Sequence, residues 1–184
     1  LSIDEFSGLD IDGIQPKKSK KVNGKKKGNR TELELTKILS SRFNMSFSRS
    51  VGSGNRWAQA SLTEQAKQVF SGDLIVPENF QFVIESKGGY EGIDINGIFI
   101  KGNSELDSFM QQVTEDSKRC GRKPMLCWKR ARKPWLAFIL TKDLIGHEFE
   151  YSIKYKEWTG IALEMLLKLE DSFFYNNHSK SFKS

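Results

Sequence analysis

Apolar residues recur at helical spacing through Leu35, Ile38, Leu39 and Phe43. Asn29 precedes them as a helix cap, with Glu32 three positions later, so a first helix is expected to open at Asn29 with a capping box. Met45 to Val51 alternates apolar and polar, as a half-buried strand does, and runs into the loop Gly52-Ser53-Gly54. Ser61 with Glu64 opens a short helix through Phe70, closed by Gly72. Leu74-Ile75-Val76, stopped by Pro77, and Gln81 to Lys87 flank the turn residues Glu78 and Asn79 and so predict a hairpin. Gly88 to Gly102 reads as a glycine-rich loop, after which Ser104 caps a helix carrying Leu106, Phe109, Met110 and Val113. Pro124 to Trp128 and Trp135 to Leu140 form two further strands around the turn Lys129 to Lys133, and Ile161 to Leu169 makes a last helix. The order α, β, α, β, β, α, β, β, α is that of an α/β mixed sheet with helices packed on it.

With 184 residues, 38% of them hydrophobic, the chain has enough material for one domain with a core. No apolar run approaches the roughly 18 residues of a membrane span, and the first residues carry Asp4, Glu5 and Asp10, so we expect a soluble protein. Cys120 and Cys127 make no C-x-x-C pair, which disfavours structural zinc and a disulfide framework. His147 and His178 sit in no partner motif for a serine or cysteine nucleophile, and both read as surface or structural. Cys127, within Met125 to Trp128, reads as core packing.

Charge changes the picture through its position. The net +6 hides eight basic residues and no acid from Pro16 to Arg30, and eight more with no acid from Ser117 to Lys133. The remainder carries 13 basic against 23 acidic residues, a net −10. Two cationic windows on an acidic body point to a polyanionic partner, nucleic acid first, with a solubilising surface as the plain alternative. Residues 1–27 read as a flexible basic arm whose PKKSKKV stretch looks like a nuclear-import signal.

The informative chemistry lies in Asp73 and in Phe82 to Lys87. Side chains alternate along a strand, so Glu85 and Lys87 share one face while Phe82, Ile84 and Ser86 take the other. Asp73 on the preceding strand brings a second carboxylate to Glu85. Two carboxylates plus a strand carbonyl, that of Ser86, suit Mg²⁺. Lys87 would orient or deprotonate the attacking water, or stabilise charge building on phosphorus. The competing reading is an acidic turn beside a solvated Glu-Lys strand face. Arg49 and Ser53 flank a glycine loop that lets backbone approach phosphate closely, or simply end a strand.

Gly28 to Leu35, Arg49 to Gly54, Asp73 to Val76 and Ile84-Glu85-Ser86-Lys87, in that order, resemble the successive motifs of archaeal-type Holliday-junction resolvases, within the PD-(D/E)xK nuclease superfamily. The likeness covers roughly residues 26–172. It implies a restriction-endonuclease-like fold, a homodimer, and divalent-metal-dependent cleavage of branched DNA at four-way junctions in recombination and repair, with Mg²⁺ as cofactor and Mn²⁺ able to substitute. It also implies that Glu32, Asp73, Glu85 and Lys87 are catalytic, that Ser53 lies near the scissile phosphate, and that Arg30 and Arg49 bind DNA backbone. The nuclease domain would span 28–175, leaving a C-terminal tail at 176–184. Residues 55–71, with Arg56 and Trp57, form an insertion between two motifs that the family joins almost directly, and Arg56 joins the DNA-binding candidates. Lys118, Arg119, Arg122, Lys129 and Arg130 would contact phosphates of duplex or branched DNA. Trp128 and Trp135 read as core sooner than as base-stacking residues, and Leu163, Leu166 and Leu167 as core or dimer interface. The alternatives are a nicking, flap or restriction-type enzyme with the same residues, and a non-catalytic DNA-binding module. The expected location is the cytoplasm, a host's if the source is viral, with the nucleus left open by PKKSKKV.

Overall fold

The first helix, α1 (Gly24–Phe43), begins upstream of Asn29, so Asn29 and Glu32 are interior positions and the expected capping box does not form. Lys25, Lys26 and Lys27 are good helix formers and the helix runs on through Gly28, so the apolar stripe marked its buried face and not its start. The computed structural model describes residues 24–50, 71–94, 98 and 101–176, with side chains from residue 28 onward. Of the flexible arm expected at 1–27, residues 24–27 belong to α1; residues 1–23, the helix expected at 61–70 and residues 177–184 lie outside the described residues. After α1, Asn44 turns the chain with a φ of 50°, in the left-handed conformation asparagine tolerates.

Strand β1 (Ser48–Arg49) is shorter than the alternation over Met45 to Val51 implied, and pairs antiparallel with β2 (Leu74–Ile75). The expected hairpin between β2 and β3 (Phe82–Gly88) is therefore not formed as a ladder. The segment between them is tied elsewhere: Phe80 bridges to Tyr175, and the Gln81 N–H donates to the Phe174 carbonyl at 2.7 Å.

From β3 the chain crosses through α2 (Ser104–Cys120) to β4 (Lys123–Lys129), which lies parallel to β3. The N-cap of α2 is Asn103, whose side chain accepts from the Leu106 N–H at 3.0 Å, and Ser104 is the first helical residue. Gly121, at a φ of 72°, closes the helix by donating its N–H to the Ser117 carbonyl. Antiparallel β5 (Trp135–Leu140), β6 (Ile153–Tyr155) and β7 (Trp158–Ala162) complete the sheet, in the order β3-β4-β5-β7-β6 among the described residues. Two short helices, α3 (Leu163–Leu166) and α4 (Asp171–Phe174), end the described chain.

The last helix is thus shorter than expected, because Ile161 and Ala162 belong to β7. A short apolar run does not distinguish strand from buried helix, and the β6–β7 turn has no glycine to announce it, Lys156 itself taking a φ of 52°.

Alternation along the strands divides the core. Phe82, Ile84, Met125, Cys127, Ala137 and Ile139 pack toward Leu35, Leu39 and Phe43 of α1. Val83, Leu126, Trp128 and Phe138 pack toward Leu106, Phe109, Met110 and Val113 of α2. The fold is the α/β mixed sheet flanked by helices that the pattern implied. Trp128 and Trp135 are core residues, as are Leu163, Leu166 and Leu167. Burial pushes the Cys127 thiol up to about 12, which leaves it an inert packing group.

Candidate active site

Gly72 begins the site. Its φ of 76° suits glycine, and a Cβ there would come within 2.7 Å of the Ile84 carbonyl oxygen. That close approach delivers Asp73 to β3, the edge strand of the sheet among the described residues. The Asp73 N–H donates to the Ile84 carbonyl at 2.9 Å, and its carboxylate Oδ2 accepts the Ser86 N–H at 2.8 Å. The Ser50 N–H donates to the Asp73 carbonyl at 2.8 Å, tying the end of β1 to the same point. Within a strand a residue's N–H and C=O point to one edge, so the Ser86 carbonyl shares this edge with Asp73.

Glu85 follows on β3 with its carboxylate turned toward α2 and only 1% of the residue exposed. Its Oε1 accepts from Lys87 Nζ at 2.5 Å and from Gln112 Nε2 at 2.6 Å. The Gln112 Oε1 in turn accepts from Lys87 Nζ at 3.0 Å. Glu85 Oε2 is buried and has no hydrogen-bond donor among the described residues.

The electrostatics follow from crowding two carboxyls in a dry place. Burial and the neighbouring Asp73 charge push Glu85 up to about 8, against the partial relief that Lys87 provides. Asp73 is raised as well, chiefly by burial and in part by the Glu32 charge, although the Ser86 N–H and Lys87 work to lower it. For Lys87, burial favours the neutral amine, but the Glu85 carboxylate outweighs it and holds the ammonium above its ordinary range. Two close carboxylates, a buried oxygen lacking a donor and proton affinities raised chiefly by burial make a donor set that fits Mg²⁺, which one or two protein carboxylates commonly hold.

Glu32 sits beside this pair without completing a ligand cage. Its Oε2 accepts from Arg49 Nε at 2.6 Å, and Arg49 also donates to Asn29 Oδ1 at 2.8 Å. Among the described residues no group of three or more His, Cys, Asp or Glu is placed to hold a metal ion. The helix bearing Glu32 is pressed onto the end of β3, where a Cβ on Gly88 would run into Thr31 Oγ1. Gln112 escaped the sequence reading. The only signal for it was a polar residue within the sheet-facing stripe of α2, between Phe109 and Asp116.

The second basic window divides in two. Lys129 and Arg130 lie where β3 ends: Gly88 pairs with Lys129, and the Arg130 guanidinium stands 5.1 Å over the ring of Trp128, the residue paired with Lys87. Lys129 also sits 3.7 Å from Glu34, and Arg30 is exposed on the nearby face of α1. Lys118, Arg119 and Arg122 gather at the other end of β4, roughly 20 Å away at about 3.3 Å per residue. There Arg119 pairs with the buried Asp116, and Arg122 donates to the Glu78 carbonyl at 3.4 Å. Ser53 and Arg56 lie outside the described residues.

A family model described as phage putative PDDEXK endonuclease matches residues 23–174. The chain belongs to this family. It is accordingly a nuclease of the PD-(D/E)xK type. A solved structure of Archaeoglobus fulgidus Hjc, a Holliday junction resolvase from an archaeal hyperthermophile, is similar at 14% identity over 73% of this chain and 86% of that chain, with a TM-score of 0.36. A comparison with curated proteins found no match. Among the described residues no helix of this PDDEXK endonuclease is long and apolar enough to cross a membrane.

Proposed function

We propose that this nuclease is a Mg²⁺-dependent, structure-selective DNA endonuclease, with Mn²⁺ able to substitute, that hydrolyses phosphodiester bonds at four-way junctions in recombination and repair. It acts as a homodimer, with two sites addressing opposing strands, in the cytoplasm of a phage host. The observation that carries the catalytic part is half-buried Asp73 beside buried Glu85, with Lys87 bonded to Glu85. The junction preference and the dimer rest on the order of sequence motifs shared with archaeal-type resolvases.

In this reading Asp73, Glu85 and the Ser86 carbonyl hold the cation. Bound there, a divalent ion supplies Lewis-acid charge stabilisation at the scissile phosphate. Asp73 is aimed by its two bonds to β3. Lys87, held as an ammonium by Glu85, donates hydrogen bonds to the attacking water or to a phosphate oxygen. Glu32 contributes through the field it exerts on Asp73. Arg30, Lys129 and Arg130 bind the backbone of the DNA near the site, with Arg49 holding Glu32. Ser53 and Arg56 are assigned to the phosphate and the DNA by motif position alone.

The test is cleavage of a synthetic four-way junction, a flap, a nicked duplex and a linear duplex, with Mg²⁺, Mn²⁺ or chelator. Metal-dependent cutting of the junction ahead of the others is the expected result. Equal cutting of linear duplex would sink the junction preference and leave a nicking, flap or restriction-type enzyme. Salt-sensitive binding with no cleavage of any substrate would replace the enzyme with a DNA-binding module.

A further inference from the structure

Gln112 is a neutral side chain that hydrogen-bonds both Glu85 and Lys87. Its amide has one orientation that satisfies both, with NH₂ toward the carboxylate and C=O toward the ammonium; flipped, it would set oxygen against oxygen and donor against donor. The side chain closes a ring in which Glu85 Oε1 is saturated by two donors while Oε2 is left with none. A carboxylate has two oxygens, and Lys87 has three N–H groups on a flexible stem, so nothing in the Glu85–Lys87 pair alone dictates which oxygen the ammonium takes.

We infer that Gln112 is a positioning residue that holds Lys87 on Glu85 Oε1 and thereby reserves Glu85 Oε2 for the divalent cation. The inference rests on the nuclease reading of the site and deepens it. Without the amide, Lys87 is free to swing onto Oε2 and compete with the cation for the same lone pairs. A neutral amide performs this sorting without a further negative charge beside Glu85 and Asp73. An outer-shell residue that orients a ligand commonly carries about 10–100-fold in metal affinity or activity.

The experiment measures Mg²⁺ and Ca²⁺ binding to the DNA-free protein by calorimetry, its melting temperature in chelator, and kcat and KM on DNA, for wild type, Gln112→Met and Gln112→Asn. The shorter Gln112→Asn keeps an amide that is one methylene short of bridging both partners, and it serves if Gln112→Met does not fold. Gln111→Leu is the control, since Gln111 is exposed and bonds only Glu115 among the described residues. We expect a Kd for both cations weakened about 10-fold or more and a lower kcat. KM and the chelator melting temperature should hold, and Gln111→Leu should match wild type. Unchanged metal affinity, or a fall in melting temperature with metal affinity intact, overturns the positioning role alone. A wild type that binds neither cation overturns both this inference and the reading of Asp73 and Glu85 as metal ligands.

Discussion

The carboxylate of Asp73 accepts the backbone N–H of Ser86 at 2.8 Å, across thirteen residues of sequence. This bond fixes a metal-ligand candidate to the strand that carries the other one, so the spacing between Asp73 and Glu85 is set by backbone geometry and not by a flexible loop. The carboxyls are held together at a cost in burial that only a cation or a proton offsets.

Replacing either acid by its amide separates catalysis from stability. Asp73→Asn and Glu85→Gln each remove a charge the fold has to bury, so the metal-free proteins are expected to melt at least as high as wild type at pH 8. Glu85→Gln should gain about 2 °C or more, the shift expected for roughly 1 kcal/mol in a domain of this size. Cleavage should fall by at least about 100-fold in both, through loss of a ligand whose positioning the chain supplies. Calorimetric melting beside a gel assay decides it, and loss of folding in both variants would show that the carboxylates are structural.

The pH dependence of the metal-free protein has a definite sign. The Glu85 carboxyl sits at about 8 in the folded chain against an ordinary value of 4.5. Between those values the folded state keeps a proton that the unfolded chain has lost, so stability is fullest below the lower value and declines as pH rises toward the upper one. Asp73 shifts in the same direction. In chelator, the melting temperature should fall from pH 5.5 to 8, and the stabilisation by Mg²⁺ should grow over the same range as the cation takes the place of the proton. Glu85→Gln should flatten the trend. A Mg²⁺ effect independent of pH would contradict the pairing of these two acids.

Strand alternation alone put Glu85 and Lys87 on one face and Ile84 on the other, because a period of two is fixed by the backbone and is readable without knowing the partner strand. The partner strands were not readable. The hairpin expected from Pro77 and Asn79 was displaced by long-range bonds to Tyr175 and Phe174, nearly a hundred residues on, which no local pattern encodes. Yet Asp73 arrives beside Glu85 by the edge of β3, so the motif spacing placed the carboxylates together though the intervening structure differs. Gln112 stayed hidden for a related reason: its role depends on α2 crossing β3 near Glu85, a tertiary fact.

Gly72 is expected to be intolerant of any side chain. Alanine there would occupy a left-handed backbone and drive its Cβ against the Ile84 carbonyl and the Val83 side chain, both under 3.0 Å. The strain is about 1–3 kcal/mol, to which the contact adds, so Gly72→Ala should lower the melting temperature measurably. It should also lower cleavage beyond what lost stability explains, because relief of the clash moves Asp73 off β3. Assays well below the variant's melting temperature separate the two effects. Wild-type kcat in a destabilised Gly72→Ala protein would show that Asp73 needs no such fixed approach.

The basic residues should divide by their place on β4. Arg130 lies over Trp128 at the end of the sheet where Lys87 stands, and Arg30 is exposed on the neighbouring helix. Lys118 and Arg122 occupy the far end, where the adjoining cation Arg119 is engaged by Asp116. Each phosphate contact adds about 0.9 to the slope of log affinity against log salt. Arg30→Ala and Arg130→Ala are therefore expected to weaken binding of a four-way junction in Ca²⁺ and to reduce that slope by about 1 each. Lys118→Ala and Arg122→Ala should leave both within error. Fluorescence anisotropy across a salt series gives the slopes directly. The reverse ranking would mean that DNA runs over the end of β4 away from the carboxylates, and Asp73 and Glu85 would then lie too far from phosphate to cut it.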